Sequence, residues 1–108
     1  MKQETKRKRP VRTAEIELPA PYEGWRATVW VNMPMCLYDA LDKGSFEERL
    51  DALVEVVEDW NFIDDQGAPV AITKPAIRES LALAEVVLTL RAIDEAVSGF
   101  LASVIKQE

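Results

Sequence analysis

Val57-Glu58-Asp59-Trp60-Asn61-Phe62-Ile63-Asp64-Asp65-Gln66-Gly67-Ala68-Pro69-Val70 is the stretch on which the fold turns. An amphipathic pattern runs into Trp60 from the N-terminal side. Beyond it lie an acidic, glycine-containing turn and a proline. Asp64-Asp65-Gln66-Gly67 has turn composition, because aspartate binds its own backbone and glycine supplies the left-handed step. Asn61 is suited to leave a helix in a left-handed conformation. Two adjacent aspartates are too few for a calcium loop, which needs ligands at alternating positions and a closing glutamate. A tryptophan at the junction predicts that the two halves of the chain pack against each other here.

Upstream, Ser45-Phe46-Glu47-Glu48 matches a capping box, with Ser45 and Glu48 exchanging hydrogen bonds with each other's backbone. Phe46, Leu50, Leu53, Val57 and Trp60 then follow at spacings of four and three, which predicts a helix from Ser45 into Trp60. Before it, Pro34 starts a short helix through Leu41, with Leu37, Tyr38 and Leu41 on one face and Gly44 beyond its end. Glu15–Leu18 and Trp25–Val31 alternate as strands, joined by a loop holding Pro19, Pro21 and Gly24, and predict an antiparallel hairpin. Trp30 falls on the polar face of the second strand. Either a helix covers it or it belongs to a contact surface.

Downstream, Val70–Ile72 is a short extended piece, and Pro75 suits a helix's first turn. Leu83, Val86, Leu90, Ile93, Val97, Phe100 and Val104 form one seam. Ile77, Leu81, Ala84 and Leu88 form a second stripe on another face. A break at Arg78-Glu79-Ser80, with Ser80 capping the later helix, accounts for the shift between them. Leu81–Leu90 is apolar over more than half its girth, so that helix is central or meets a second copy or partner. The expected fold is therefore α+β and mostly α: an N-terminal β-hairpin, then three to four helices, the last one long.

Composition bounds the function. The chain has 108 residues, 48% of them hydrophobic, with 19 acids against 13 bases. Residues 1–12 carry six basic side chains against Glu4, a net of +5, which leaves −11 on the rest. Residues 1–13 read as a disordered basic arm ahead of one domain at 14–108. Through Lys6, Arg7, Lys8 and Arg9 the arm can contact nucleic acid, or it can be a solvated tail on an acidic body. Without histidine, neither Ser-His-Asp nor Cys-His catalysis is available. The four glycines are scattered rather than grouped in a phosphate loop, and zinc spacing is absent. No catalytic, metal or cofactor residues are expected, and the lone Cys36 reads as a small buried apolar residue.

The order Trp60-Asn61, acidic Asp64-Asp65 and Gly67, Pro69, a short apolar piece and Thr73-Lys74-Pro75 resembles the tail assembly chaperones of long-tailed bacteriophages and prophages. In that family a Thr-Pro step commonly opens the next helix; here a lysine intervenes. The segment Gly24-Trp25 to Pro34 resembles the family as well, and the likeness covers roughly residues 15–80. The resemblance implies a non-enzymatic protein of the bacterial host cytoplasm. It would bind the tape measure protein and keep it soluble while tail tube subunits assemble; the surplus apolar surface of the long helix, read by itself, makes a homo-oligomer the expected state. Helix-in-groove contact by surplus apolar surface fits that role, with Trp30, Ile77, Leu81, Ala84 and Leu88 as candidate partner contacts or, on the other reading, core. Two rival readings are a structural tail or head-tail component retained in the virion, and a small nucleic-acid-binding regulator using the arm.

Overall fold

The computed structural model describes residues 10–106. The basic residues Lys6 to Arg9, and with them most of the expected arm, lie outside that range. The elements are β1 (Thr13–Glu17), β2 (Arg26–Trp30), α1 (Met35–Lys43), α2 (Phe46–Val56), β3 (Val57–Trp60), α3 (Lys74–Ser80) and α4 (Leu83–Lys106). The architecture is α+β and mostly α, with a three-stranded antiparallel sheet in the order β1-β2-β3 and a long last helix.

The hairpin forms as the alternation predicts, with Ile16 opposite Ala27 and Ala14 opposite Val29. The ordered chain starts earlier than residue 14. Asn32 accepts the Arg12 amide through Oδ1 at 2.8 Å and donates through Nδ2 to the Pro10 carbonyl at 2.6 Å. The Val31 amide donates to the Arg12 carbonyl. Pro10–Thr13, within the stretch read as the arm, is thus fastened to the sheet.

The largest correction falls on the opening stretch. The α2 helix stops at Val56, and Val57–Trp60 is a third strand rather than a last helical turn. Its pairing with β2 shows why the sequence misleads. Ala27 faces Trp60, Thr28 faces Asp59, and Val29 faces Val57, so the register slips past Glu58. Such a bulge adds one residue to the strand and shifts its alternation. Val57 and Trp60, three apart, then point to one face, which is also what a helix would do with them. The β-branched Val57 and the aromatic Trp60 suit the extended form.

Asn61 is not left-handed, since positive φ among the described residues occurs only at glycine. Its side chain instead clamps the start of β2. Oδ1 accepts the Arg26 amide at 2.7 Å and Nδ2 donates to the Gly24 carbonyl at 2.8 Å. The Asp64–Gly67 turn is built as its composition predicts. Asp64 Oδ1 accepts the amides of Gln66 and Ala68 at 2.9 Å each, and Gly67 takes a φ of 84°. Ile63 and Pro69 bridge across it.

The core lies between the sheet and the helices, with Val29, Leu50, Leu53, Val56, Phe62, Ile77 and Ile93 buried. Phe62 stacks on Trp60 at 4.3 Å between ring centroids and meets Trp25 at 5.1 Å. The Trp60 indole N–H donates to the Val70 carbonyl at 2.7 Å, which binds the turn's two sides together. The capping box at Ser45 and Glu48 is present in both directions. Thr73 caps α3 by accepting the Ala76 amide, with Pro75 in the first turn.

The break between α3 and α4 falls after Ser80, yet Ser80 does not cap α4. Glu85 reaches back to the Ala82 amide at 2.8 Å instead. Thr89, buried in α4, satisfies its hydroxyl on the Glu85 carbonyl one turn earlier, the usual solution for a hydroxyl inside a helix.

Two glycines give opposite expectations. Gly44 ends α1 with an ordinary φ of −71°, not a left-handed one. A Cβ there would run into the Ala40 carbonyl oxygen and crowd Glu48 at the capping box. Gly44→Ala should therefore cost about 1–3 kcal/mol, the scale of overpacking. Gly99 lies in α4 with open space where its Cβ would stand. Gly99→Ala should stabilise by about 0.5–1 kcal/mol through helix propensity. Urea denaturation of both variants checks the pair, and equal effects at the two sites would contradict the packing at Gly44.

Candidate functional site

Exposed apolar side chains gather along one side of α4 and at the start of α2. Leu83 is 66% exposed, Phe46 41%, Val87 38%, Leu101 46% and Ile105 71%. Isolated exposed apolar residues are ordinary, but a contiguous set marks a contact surface.

Of these side chains, Phe46 and Val87 line a groove of about 260 Å³ between α1, the start of α2, and α4. Tyr38 and Leu41 of α1 and Phe46 of α2 form one wall. Val87, Leu90 and Val97 of α4 form the other. A second hollow of about 150 Å³, lined by Leu50, Ile77, Leu81, Leu83 and Val86, shares Phe46 with the first. Phe46 thus borders both hollows.

Local chemistry places these walls. Leu37, Tyr38 and Leu41 are half-buried along one face of α1, as their spacing predicts. The capping box fixes where α2 begins, and therefore where Phe46 stands. Lys74 holds Glu47 at 2.7 Å and Asp51 at 2.9 Å, and Arg78 also pairs with Glu47, so α3 is tied to the first turns of α2. These pairs are solvent-accessible and contribute at most about 1 kcal/mol each; their role is orientation. Tyr22 in the hairpin loop faces Glu85 at the start of α4. Desolvation, with the carboxylate's charge and hydrogen bond, pushes its phenol above the ordinary value. Just before β1, Arg12 lies over the Phe100 ring at 5.5 Å and braces α4 further along.

Four charged residues edge the groove: Asp42 and Asp94, Arg49 and Arg91. Arg49 donates from Nη2 to the Asp42 carbonyl at 3.1 Å, while its Nε is buried with no partner among the described residues. A buried N–H without an acceptor costs about 1–3 kcal/mol.

A broader hollow of about 700 Å³ lies between α1 and α2 on the opposite side. It is lined by Asp39, Lys43, Glu48, Asp51, Glu55 and Lys74, of which Glu48 serves the capping box and Asp51 pairs with Lys74. The same hollow also has apolar lining from Leu37, Ala40, Ala52 and Val54. Among the described residues there is no group of three or more His, Cys, Asp and Glu placed to hold a metal ion. None of their helices is long and apolar enough to cross a membrane.

The five contacts named from the sequence do not assemble into one surface. Ile77 is 1% exposed and closed to any partner. Leu81 and Leu88 are half-buried, and Ala84 is exposed. The stripe they were to form is divided between α3 and α4. Trp30 is half-buried at the margin of the core and donates its indole N–H to Asn32 Oδ1 at 2.6 Å. Cys36 is exposed rather than buried, because the inward face of α1 begins at Leu37. The structural residues fare differently: Ser45, Glu48, Trp60, Asn61, Asp64, Gly67 and Pro69 all take part in the cap, clamp or turn described above. Asp65 sits in the turn, exposed.

The residues that line the groove were read as core seam or left aside. Phe46, Leu83 and Val104 end their seams and are exposed there. A signal was available. Leu83, Val87, Leu90, Val97, Leu101 and Val104 recur at spacings of four and three, with Asp94 the one polar member. This row shares Val97 with the buried one formed by Val86, Ile93 and Val97.

Family models, characterised proteins and solved structures were all compared with the chain. None matches it. The groove and the sequence motifs therefore carry the functional reading.

Proposed function

We propose that this protein is a non-enzymatic tail assembly chaperone that holds the helical tape measure protein soluble in the host cytoplasm until tail tube subunits assemble round it. One observation carries the reading: an apolar groove, open to solvent, runs beside a long helix on an otherwise acidic protein. A groove between helices accepts the apolar face of an amphipathic helix, which is what a tape measure chain offers. The net charge of −6 keeps such a complex dispersed. The likeness at Trp60-Asn61 and the acidic turn supports the same reading from a separate direction, because those residues build the junction that sets the helices beside the sheet.

Co-expression tests it. A tape measure segment that is insoluble alone should appear in the soluble fraction with this chain and co-purify with it. A segment that stays insoluble in the chain's presence contradicts the proposal. The groove is lined by residues of α1, α2 and α4, so removal of residues 1–9 should leave client solubility unchanged. Loss of solubility on that truncation would shift the role to the arm.

A further inference from the structure

We propose that, without a client, the groove is occupied by α4 of a second copy of this chain, running antiparallel and related by a twofold axis near residues 92 and 93. The inference rests on the chaperone reading only in calling the groove a client site; the dimer itself stands on the geometry of α4.

The row Leu83, Val87, Leu90, Asp94, Val97, Leu101, Val104, exposed except at the half-buried Leu90 and the buried Val97, keeps a seven-residue repeat over most of a helix about 36 Å long. Such a repeat is the pattern by which one helix packs along another. The charges decide the direction. Arg91 and Asp94 both line the groove and both are exposed. In an antiparallel pair centred between them, Arg91 of each copy stands level with the partner's Asp94, so two opposite-charge contacts form. A parallel pair would set each Asp94 against its own counterpart, and like charges at an interface suppress that arrangement. The same antiparallel register sets Leu101 level with the partner's Ala84, one residue from the partner's Leu83. Leu101, Val104 and Ile105 are exposed at the far end of α4, and this register lays them along the partner's Phe46 and Leu83. Each copy thus covers the other's exposed apolar residues at both ends. A twofold contact of this kind is self-limiting, so the groove is sheltered while no client is present, and a client helix must displace the second copy.

Light scattering on the purified full-length chain across a dilution series tests this without any client. The wild type should be a dimer. Asp94→Arg and Arg91→Asp should each raise the dimer dissociation constant about tenfold or more, since each replaces two attractions by two repulsions. Circular dichroism should show unchanged helix content, because both side chains are exposed. An equimolar mixture of the two variants should recover a dimer of wild-type strength, because one copy then presents two acids and the other two bases. A wild type that is monomeric throughout, single variants that associate as well as wild type, or a mixture that does not recover would each overturn the proposal. Client solubility is read in a different assay. A monomer that still solubilises client removes the dimer alone, and a dimer that never binds client removes the chaperone reading alone.

Discussion

Phe62→Ala should lose about 3–5 kcal/mol of stability, the scale for deleting a fully buried phenylalanine. That is a large part of the roughly 5–15 kcal/mol available to a domain of this size. The melting temperature should fall by about 15–25 °C. The ring is 1% exposed and has aromatic partners on two sides, Trp60 stacked at 4.3 Å and Trp25 at 5.1 Å. Stacked pairs add about 0.5–1.5 kcal/mol beyond burial. Tyr22 extends the row through an edge contact with Trp25 at 5.1 Å, and Tyr22 also faces Glu85 at the start of α4. Removing Phe62 therefore takes support from the sheet, the turn and the entry to α4 together. Thermal unfolding followed by circular dichroism measures it. A loss below about 1 kcal/mol would show that the aromatic row is not what joins the two halves of the chain.

The second large effect is functional. Val87→Glu should abolish solubilisation of the tape measure segment while changing stability by no more than about 0.5 kcal/mol. Val87 is 38% exposed in a helix, and glutamate is a better helix former than valine, so the fold has little to lose. In the groove the change sets a carboxylate among Tyr38, Leu41 and Leu90, where a docked apolar face would bury it without a partner. The expected result is an unchanged melting temperature with client in the insoluble fraction. Undiminished client solubility would move the binding surface away from α4. Val87→Glu also falls on the row that joins two copies, whereas Asp94→Arg alters the charge pairing and leaves the apolar wall intact. Comparing the two separates client binding from self-association.

Much of the architecture was legible because local chemistry and global fold agree. The capping box at Ser45 and Glu48, the proline at the start of α3, the alternation of β2 and the Asp64 turn each depend on residues within a few positions. The failures share a cause: each concerns a choice made by distant partners. Val57 and Trp60 satisfy a helical spacing, and only pairing with β2 shows that a bulge at Glu58 supplies the same phase. Asn61 looks like a left-handed helix exit, but its amide side chain is used on Gly24 and Arg26, more than thirty residues earlier in the chain. Gly44 looks like a left-handed cap and is required instead for the space beside Ala40 and Glu48.

The candidate site was less legible for a related reason. Apolar periodicity locates helix faces but does not say which face the rest of the chain covers. Ile77 and Leu83 are equivalent by that measure, yet α3 turns Ile77 into the core and α4 leaves Leu83 in solvent. The row through Leu83, Val87 and Leu101 could be written down from spacing. Its exposure could not, because it depends on how far α1 and the start of α2 reach along α4.

Hydrogen–deuterium exchange on the full-length chain, with and without a soluble tape measure fragment, tests the central claim most directly. Added fragment should slow exchange in α4 from Leu83 to Leu101, together with Tyr38–Leu41 and the first turn of α2, and should leave Pro10–Glu17 unchanged. Protection confined to the outer face of the sheet or to residues before Thr13, or no protection at all, would contradict the account.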